Sequence, residues 1–335
     1  PNPKSLSKKD SPQILDFDNT AVMNFLPLPD NTVRQVIDAL TVFAEHGRVS
    51  VEASKLRGSM SWKREGAYEY LVKNVPGRRT QERLGARSEA TEKVFQDYTA
   101  RKAAIDARLA SLASALDEAE RMNRALKAGR TPNLVITLLK VLDEAGLSAH
   151  FTVVGTHALY AYETAANVRV TPGALATQDV DLLWDARRRV QFMTDMERLD
   201  SSMLKVLKRA DASFERKPGQ NETAINARGF EVDFLRRQPV DGDPHPFRFS
   251  GDEDDLWPVQ AERAAVLTSA PRFEHAVISV TGRMATMRTV APQVFVDFKR
   301  WMAEAAPQRD AAKRRRDRLQ ADIVQALLDQ QLLVT

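Results

Sequence analysis

One uninterrupted segment constrains the fold of this chain more than any other feature. Residues 88–127 contain no proline and no glycine, and apolar side chains recur three, four or seven positions apart, at Tyr98, Ile105, Leu109, Leu112, Leu116 and Ala119. This near-heptad spacing predicts a single α-helix with one apolar stripe. At 1.5 Å per residue such a helix spans on the order of 60 Å, which is too long for one compact core. We therefore expect residues 88–130 to form a helical arm.

The apolar stripe of this helix needs a partner, since an exposed seam of this length is unstable in water. The sequence offers three partners: a helix predicted over Pro132–Leu147, the C-terminal helix, and the same arm in a second subunit. The shorter helix would cover only part of the stripe. The sequence therefore favours packing on the C-terminal helix or a homodimer through the arm.

Residues 1–30 are expected to be a flexible leader, and residues 31–87 a small basic α/β region. Apolar residues at helical spacing predict a helix from Asn31 to Glu45 that Gly47 ends. Segments rich in aromatic and β-branched residues follow, and they predict a small antiparallel sheet with strands at Val49–Ala53, Ser59–Trp62 and Tyr68–Val72.

The positive charge of the chain is concentrated near its start. The net charge is +4, and residues 1–150 hold 23 Lys/Arg against 19 Asp/Glu. Within that half, residues 48–87 carry 10 basic and 4 acidic side chains, interleaved with Trp62, Tyr68 and Tyr70. This mixture is typical of a surface that contacts phosphate and stacks on bases, so RNA is an expected partner of the N-terminal region. The alternative is an ordinary solvated sheet face.

Beyond the arm, short strands alternate with helices, which predicts a separate unit over residues 131–290 followed by a helical region over residues 291–335. A helix is predicted over residues 187–209. Strands are predicted at Phe151–Val154, Val180–Trp184 and Phe230–Leu235, and a hairpin at Thr268–Phe273 and Ala276–Val280.

Two pairs of acidic residues fall on these predicted strands. Asp179 and Asp181 are two residues apart, so both carboxylates leave the strand on one face, and the same holds for Glu231 and Asp233. Converging carboxylates repel one another unless a cation lies between them. Oxygen-only ligation suits Mg²⁺, which commonly shares its coordination sphere with substrate phosphates. The pattern therefore predicts a Mg²⁺ site with a nucleotide as co-ligand.

Gly155 and Thr156 stand where the strand at Phe151–Val154 ends and a helix begins. Unpaired backbone N–H groups and the helix dipole favour an anion such as phosphate at such a turn. Neither this turn nor an Asp-x-Asp motif is specific by itself. The order of turn, Asp-x-Asp and a later strand aspartate is considerably more specific.

In this order the residues resemble the nucleotidyltransferase fold superfamily, and the segments VVGTHALYAY, ATQDVDLLWD, FEVDFL and APQVFVDFKRWM resemble a bacterial nucleotidyltransferase-like family more closely. The resemblance, which includes SMSWKREGAYEYLV and RLGARSEATEKVF, covers most of residues 58–330. It implies an α+β fold, a mixed sheet flanked by helices, with an N-terminal α/β region and a long helical arm. Thr156 replaces the usual Ser or Gly, and the 24 residues from Gly155 to Asp179 imply an inserted loop around Arg169–Thr177.

The resemblance also implies roles for individual residues. Asp179 and Asp181 would hold two Mg²⁺ ions, and Asp233 would bind the ion that activates the acceptor hydroxyl and would serve as its base. A later helical aspartate, Asp317, is a looser match. The implied reaction moves a nucleoside monophosphate from an NTP to a hydroxyl acceptor and releases pyrophosphate. The residues implied to bind the nucleotide are Gly155, Thr156 and Lys299.

A non-catalytic alternative is a scaffold of the same fold that binds RNA or a partner protein, but the presence of all three aspartates favours an enzyme. The chain has no cysteine and no run of about 20 apolar residues, so no membrane span and a cytoplasmic location are expected. His157 has two interpretations, nucleotide contact or packing. The Arg314–Arg316 cluster is either an RNA-facing patch or a solvated helix face.

Overall fold

The computed structural model describes residues 24–76, 80–175, 177–240, 242–243, 247–307 and 309–333. Most of the predicted leader lies outside these ranges. The leader prediction is wrong for residues 25–30, because a short strand, β1 (Phe25–Pro27), precedes helix α1 (Asp30–Lys55). β1 pairs antiparallel with β6 (Val168–Val170), so the start of the described chain is anchored far along the sequence.

The helical arm is present and begins where the sequence places it. Helix α2 runs from Glu89 to Ala125, and Ser88 caps it by accepting a hydrogen bond from the backbone N–H of Thr91. The Thr91 hydroxyl in turn accepts a hydrogen bond from the Ser88 backbone N–H, which completes a capping box. Local sequence therefore accounts for both the length of this helix and its first turn.

The apolar stripe of α2 packs on α1, so the predicted packing on the C-terminal helix or on a second arm is wrong. The two helices pack along each other: Ile105 of α2 is buried, and the Tyr98 hydroxyl donates to the Leu56 and Gly58 carbonyls beyond the end of α1. α1 continues through Gly47 to Lys55, so the prediction that Gly47 ends this helix is wrong. The segment Val49–Ala53, which was predicted to be a strand, is therefore helical. A glycine inside a helix costs about 1 kcal/mol, which burial of apolar residues such as Val49 outweighs.

Helices α1 and α2 and a three-stranded antiparallel sheet at their far end together form the arm, and the first two strands of this sheet were predicted. Trp62 packs on Phe95 of α2 with ring centroids 5.9 Å apart, which fixes one face of this sheet against the helix. At the other end of α2, Asn123 donates to the Gly282 carbonyl. The strands are β2 (Ser59–Glu65), β3 (Tyr68–Asn74) and β4 (Glu82–Ala86).

The larger unit is built on a central mixed sheet with the strand order β5-β7-β10-β9-β8, and β11 pairs with β10. β7 and β10 are parallel, whereas β5 and β9 run antiparallel to their neighbours. With helices around this sheet, the predicted α+β fold class is confirmed. The strands are β5 (Phe151–Val154), β7 (Asp179–Trp184), β8 (Glu215–Arg216), β9 (Thr223–Ile225), β10 (Glu231–Arg236) and β11 (Val259–Gln260).

Helices cover the sheet, and two local predictions need correction. The helix predicted over residues 187–209 breaks at Asp200, which adopts a left-handed conformation with φ 47°. The predicted hairpin is displaced along the chain and consists of β12 (Arg272–Ile278) and β13 (Met284–Val290). The helices are α3 (Asn133–Glu144), α4 (Ala158–Ala165), α5 (Arg189–Leu199), α6 (Met203–Lys208), α7 (Ala264–Ser269), α8 (Pro292–Glu304) and α9 (Ala311–Asp329).

Candidate active site

Three carboxylates meet at one end of the central sheet. β7 and β10 run parallel and in register, so that Asp181 lies opposite Asp233 and Asp179 lies opposite Glu231. Carboxylate oxygens of the three aspartates lie within 4.8 Å of one another. Glu231 instead accepts a hydrogen bond from Lys217 at 2.6 Å. The alternation of apolar and acidic residues thus predicted the convergence of the aspartates correctly.

A glycine turn passes directly over this cluster. The last residue of β5, Val154, pairs with Asp181, and the next residue, Gly155, has φ 69°. A Cβ added at Gly155 would lie 2.2 Å from Oδ2 of Asp181. Glycine is therefore required here both for the positive φ and for the space. The turn and the carboxylates form one site.

The charges in this cluster are poorly compensated. The pKa of Asp181 is raised to about 7, first by burial and then by the charges of Asp179 and Asp233. Burial also raises the pKa of Asp233, although the Thr223 hydroxyl donates a hydrogen bond to it at 2.5 Å. A divalent cation would supply the missing positive charge, and three carboxylates are a suitable oxygen donor set for it. The residues present therefore fit a metal ion.

A cavity of about 350 Å³ lies beside the carboxylates. Its walls come from the turn after β5, from β7, β10 and α7, and from α8 to the beginning of α9, and they include Gly155, Thr156 and Lys299 together with Asp179 and Asp181. This volume lies within the range of small-molecule sites. Apolar side chains complete the lining, among them Leu183, Leu235, Leu267, Phe298, Trp301 and Met302.

Lys299 lies in the cavity wall as part of a buried charge network. Its exposed fraction is 4%, and its ammonium group donates to Oδ1 of Asp317 at 2.9 Å. Arg309 donates to the other carboxylate oxygen of Asp317 at 2.7 Å. Burial lowers the pKa of Lys299, and the charge of Asp317 opposes that shift. One fully buried aspartate thus holds two cations at the wall of the cavity.

The residues after Gly155 connect the turn to its surroundings. The hydroxyl of Thr156 accepts a hydrogen bond at 3.1 Å from Gln320 of α9, which also donates to the Ala174 carbonyl. His157 is buried and hydrogen-bonds to the backbone of Asp179, and burial lowers its pKa to about 4. The packing interpretation of His157 therefore fits the structure better than direct nucleotide contact.

Sequence reasoning missed most of the positive side of this cavity. Arg309, Lys313 and Arg316 line it with Lys299, yet only Arg316 had been considered, as part of a surface cluster. The spacing of three residues between Lys313 and Arg316, which places both on one face of a helix, could have indicated them. Arg314 donates instead to the backbone carbonyl of Ala303 in α8 and to those of Ala306 and Arg309 between α8 and α9, which neither interpretation of the cluster anticipated.

A family model described as Nucleotidyltransferase matches residues 133–334. This range exceeds half of the 335 residues and contains the three aspartates, the glycine turn and every residue that lines the cavity. The chain belongs to the nucleotidyltransferase family. No curated protein and no solved structure matched it. The arm of this nucleotidyltransferase precedes the matched range.

In the part of the chain that the structure describes, no helix combines the length and the apolar character needed to cross a bilayer.

Proposed function

We propose that this nucleotidyltransferase uses Mg²⁺ to move a nucleoside monophosphate from an NTP to a hydroxyl acceptor. The observation that carries the proposal is the meeting of Asp179, Asp181 and Asp233 beside a cavity with cationic and apolar walls. The carboxylates would hold two Mg²⁺ ions, which supply charge stabilisation to the attacking and leaving oxygens of an in-line displacement. Oxygen-only ligands favour Mg²⁺ over softer metals.

The walls of the cavity provide a separate binding surface for each part of the nucleotide. Lys299, Arg309, Lys313 and Arg316 present positive charge to the triphosphate, and the turn at Gly155 allows close backbone approach. The apolar wall suits the base, for which the indole of Trp301 provides an aromatic surface.

The proposed role of Asp233 follows from its position opposite Asp181 in the cluster. A carboxylate in this position can act as a general base, so Asp233 would accept the proton of the acceptor hydroxyl. The hydroxyl oxygen then forms a bond to the α-phosphorus, the bond from the α-phosphorus to the bridging oxygen breaks, and pyrophosphate leaves. The cationic wall would neutralise the charge of the leaving group.

The acceptor in this proposal is RNA. The basic excess of residues 1–150 and the aromatic residues of the small sheet support that class over a protein side chain or a small molecule. The scaffold alternative keeps the fold and the RNA contact but predicts no transfer. A homodimer through the arm is no longer needed to cover the α2 stripe, because α1 packs on it.

The decisive experiment incubates the purified chain with α-labelled NTPs, Mg²⁺ and separate pools of RNA, protein and metabolites. We expect label in the RNA pool, and a loss of roughly 1,000-fold or more for Asp181→Asn, since the metal clamp supplies several kcal/mol of transition-state stabilisation. Asp254→Asn, whose side chain is 88% exposed, is the matched control and should retain activity. Equal transfer by Asp181→Asn and the parent would refute the mechanism.

A second measurement separates the enzyme from the scaffold without an acceptor. A nucleotide that binds only the folded state raises Tm by mass action. We expect this rise with ATP or another NTP only when Mg²⁺ is present, and we expect Asp181→Asn to lose it. An NTP-induced rise in Tm that occurs without Mg²⁺ and is equally large in Asp181→Asn would contradict the proposed metal site.

A further inference from the structure

The far end of the arm carries as much net positive charge as the entire chain. We define the arm tip as residues 55–76 and 80–87, which comprise the last residue of α1, the three strands β2, β3 and β4, and the described parts of their connections. These residues include seven Lys/Arg and three Asp/Glu, a net charge of +4, and the chain as a whole also has +4. The remainder of the chain therefore has no net charge. Such a concentration marks the arm tip as the electrostatic footprint of a polyanion.

Only part of this charge is compensated locally. Lys63 and Arg83 both pair with Glu65, at 3.3 and 3.0 Å. Arg87 pairs with Glu69 and with Glu92 of α2. Four other basic side chains of the arm tip make no ion pair with any residue that the structure describes, and they are Lys55, Arg57, Arg64 and Lys73.

One face of the small sheet carries aromatic rings next to cations. Tyr70 lies opposite Lys63 across the β2–β3 pair, and the guanidinium of Arg83 lies 3.2 Å from the centroid of the Tyr70 ring. Tyr68, two residues earlier on the same face, is 65% exposed. The opposite face packs on α2 through Trp62. Exposed aromatic rings beside guanidinium groups are the arrangement on which single-stranded bases stack.

The arm tip is too distant from the cavity to contact a bound nucleotide. α2 has 37 residues, so about 55 Å of helix separates its first turn, which adjoins β4, from the end that contacts Gly282. A small-molecule acceptor cannot span this distance. A stacked strand rising about 3.4 Å per nucleotide covers it in roughly 16 nucleotides. The position of the charge therefore suits an extended polymer.

We propose that the arm tip is the docking surface for a single-stranded nucleic acid, which the nucleotidyltransferase holds there while its end reaches the carboxylates. The docking proposal is based on the positive charge of the arm tip, on its exposed aromatic rings and on its distance from the cavity. Its role in presenting an acceptor rests on the proposed function. Cations of the arm tip contact the phosphates, and Tyr68 and Tyr70 stack on the bases.

The test measures binding of a fluorescently labelled 20-nucleotide RNA of mixed sequence to the full chain by anisotropy, without NTP or Mg²⁺. Arg57→Glu with Lys63→Glu, the second of which lies opposite Tyr70 on the tyrosine face, should weaken binding at least about ten-fold near 0.1 M salt and lower the slope of log K against log salt by about 1.4. The matched double charge reversal, Arg198→Glu with Lys208→Glu, changes two exposed basic residues outside the arm and should stay within about two-fold.

Stacking and polymer length are tested separately. Tyr68→Ala removes a largely exposed ring, and we expect about five-fold weaker binding or more without loss of Tm. A five-nucleotide RNA should bind more weakly than the 20-nucleotide RNA. Anionic phospholipid vesicles and polyglutamate are the competing polyanions, and neither should displace the RNA at equal charge concentration.

Four outcomes would overturn the docking proposal: no RNA binding at 50 mM salt, equal weakening by the two double variants, unchanged binding by Tyr68→Ala, or displacement by vesicles or polyglutamate. Because the assay contains no NTP or Mg²⁺, its result does not depend on catalysis. If RNA binds at the arm tip but no transfer occurs, the proposed function fails and the docking surface stands. If transfer occurs and the arm-tip variant binds RNA normally, only the docking proposal fails.

Discussion

The arm and the nucleotidyltransferase region place their charged residues in opposite environments. In the arm, ion pairs such as Arg48 with Glu45 lie on the solvated surface. In the other region, Asp317 is fully buried with Lys299, and Asp255 is fully buried while it accepts hydrogen bonds from the backbone at the start of α6. Burying an ion pair costs desolvation energy that a surface pair avoids. Buried charges therefore mark the places where the fold holds a group in one position, and the pair beside the cavity is such a place.

The largest effect on stability is expected when the buried network loses its carboxylate. Asp317→Asn leaves Lys299 and Arg309 without their shared counter-charge, and we expect the free energy of unfolding in urea to fall by about 3–5 kcal/mol. The matched variant in the arm, Glu45→Gln, removes the shared partner of Arg48 and Arg108 and should lower the free energy of unfolding by only a small fraction of that amount. Similar losses of unfolding free energy in both variants would show that the buried and the surface ion pairs contribute equally to stability.

A pair of glycines with nearly equal φ angles gives the next largest contrast. Gly155 has φ 69° and Gly66 in the arm has φ 63°, but only a Cβ at Gly155 would collide, 2.2 Å from Asp181. Gly66→Ala should cost only the backbone strain, about 1–2 kcal/mol. Gly155→Ala adds the collision, so we expect a loss of about 2–4 kcal/mol by urea denaturation, together with loss of Mg²⁺-dependent stabilisation. Equal costs would mean that the turn does not constrain the carboxylate.

Two tryptophans offer a smaller contrast in nucleotide affinity. Trp301 lines the cavity, whereas Trp62 packs on Phe95 in the arm. If Trp301 supports the base, Trp301→Ala should raise the Kd for an NTP by about ten-fold, in line with the energy of base stacking. Trp62→Ala should leave that Kd unchanged. Isothermal titration with Mg²⁺ and a non-hydrolysable NTP measures both, and an unchanged Kd for Trp301→Ala would place the base elsewhere.

The smallest predicted effect depends on pH. The folded state keeps the Asp181 proton up to a pKa of about 7 instead of the ordinary 3.8, so between these values the folded state binds more protons than the unfolded state. The contribution of Asp181 to stability therefore falls as pH rises through this window and is lowest above pH 7. In EDTA, Asp181→Asn should raise Tm by a few degrees at pH 8 and by almost nothing at pH 4. A Tm difference that does not change between pH 4 and pH 8 would contradict the raised pKa.

Much of the fold could be predicted because its signals are local. The uninterrupted segment of residues 88–127 with its apolar stripe predicted α2 almost to the residue, and the alternation around Asp181 and Asp233 predicted two strands with their acidic faces. The prediction that Gly47 ends α1 was wrong, because the cost of one helical glycine is smaller than the burial that the continued helix obtains.

The candidate site also has one part that the sequence predicted and another part that it did not. That Asp179, Asp181 and Asp233 share a face follows from a period of two residues, which a sequence displays directly. That Asp317 holds both Lys299 and Arg309 depends on how α8 and α9 pack, and no spacing in the sequence encodes a contact between two helices. Likewise, the sequence showed that the α2 stripe must be buried, but only the tertiary structure selected α1 to cover it. Periodicity is a property of neighbours along the chain, whereas partner choice and charge burial are decided by the total free energy of the packed molecule.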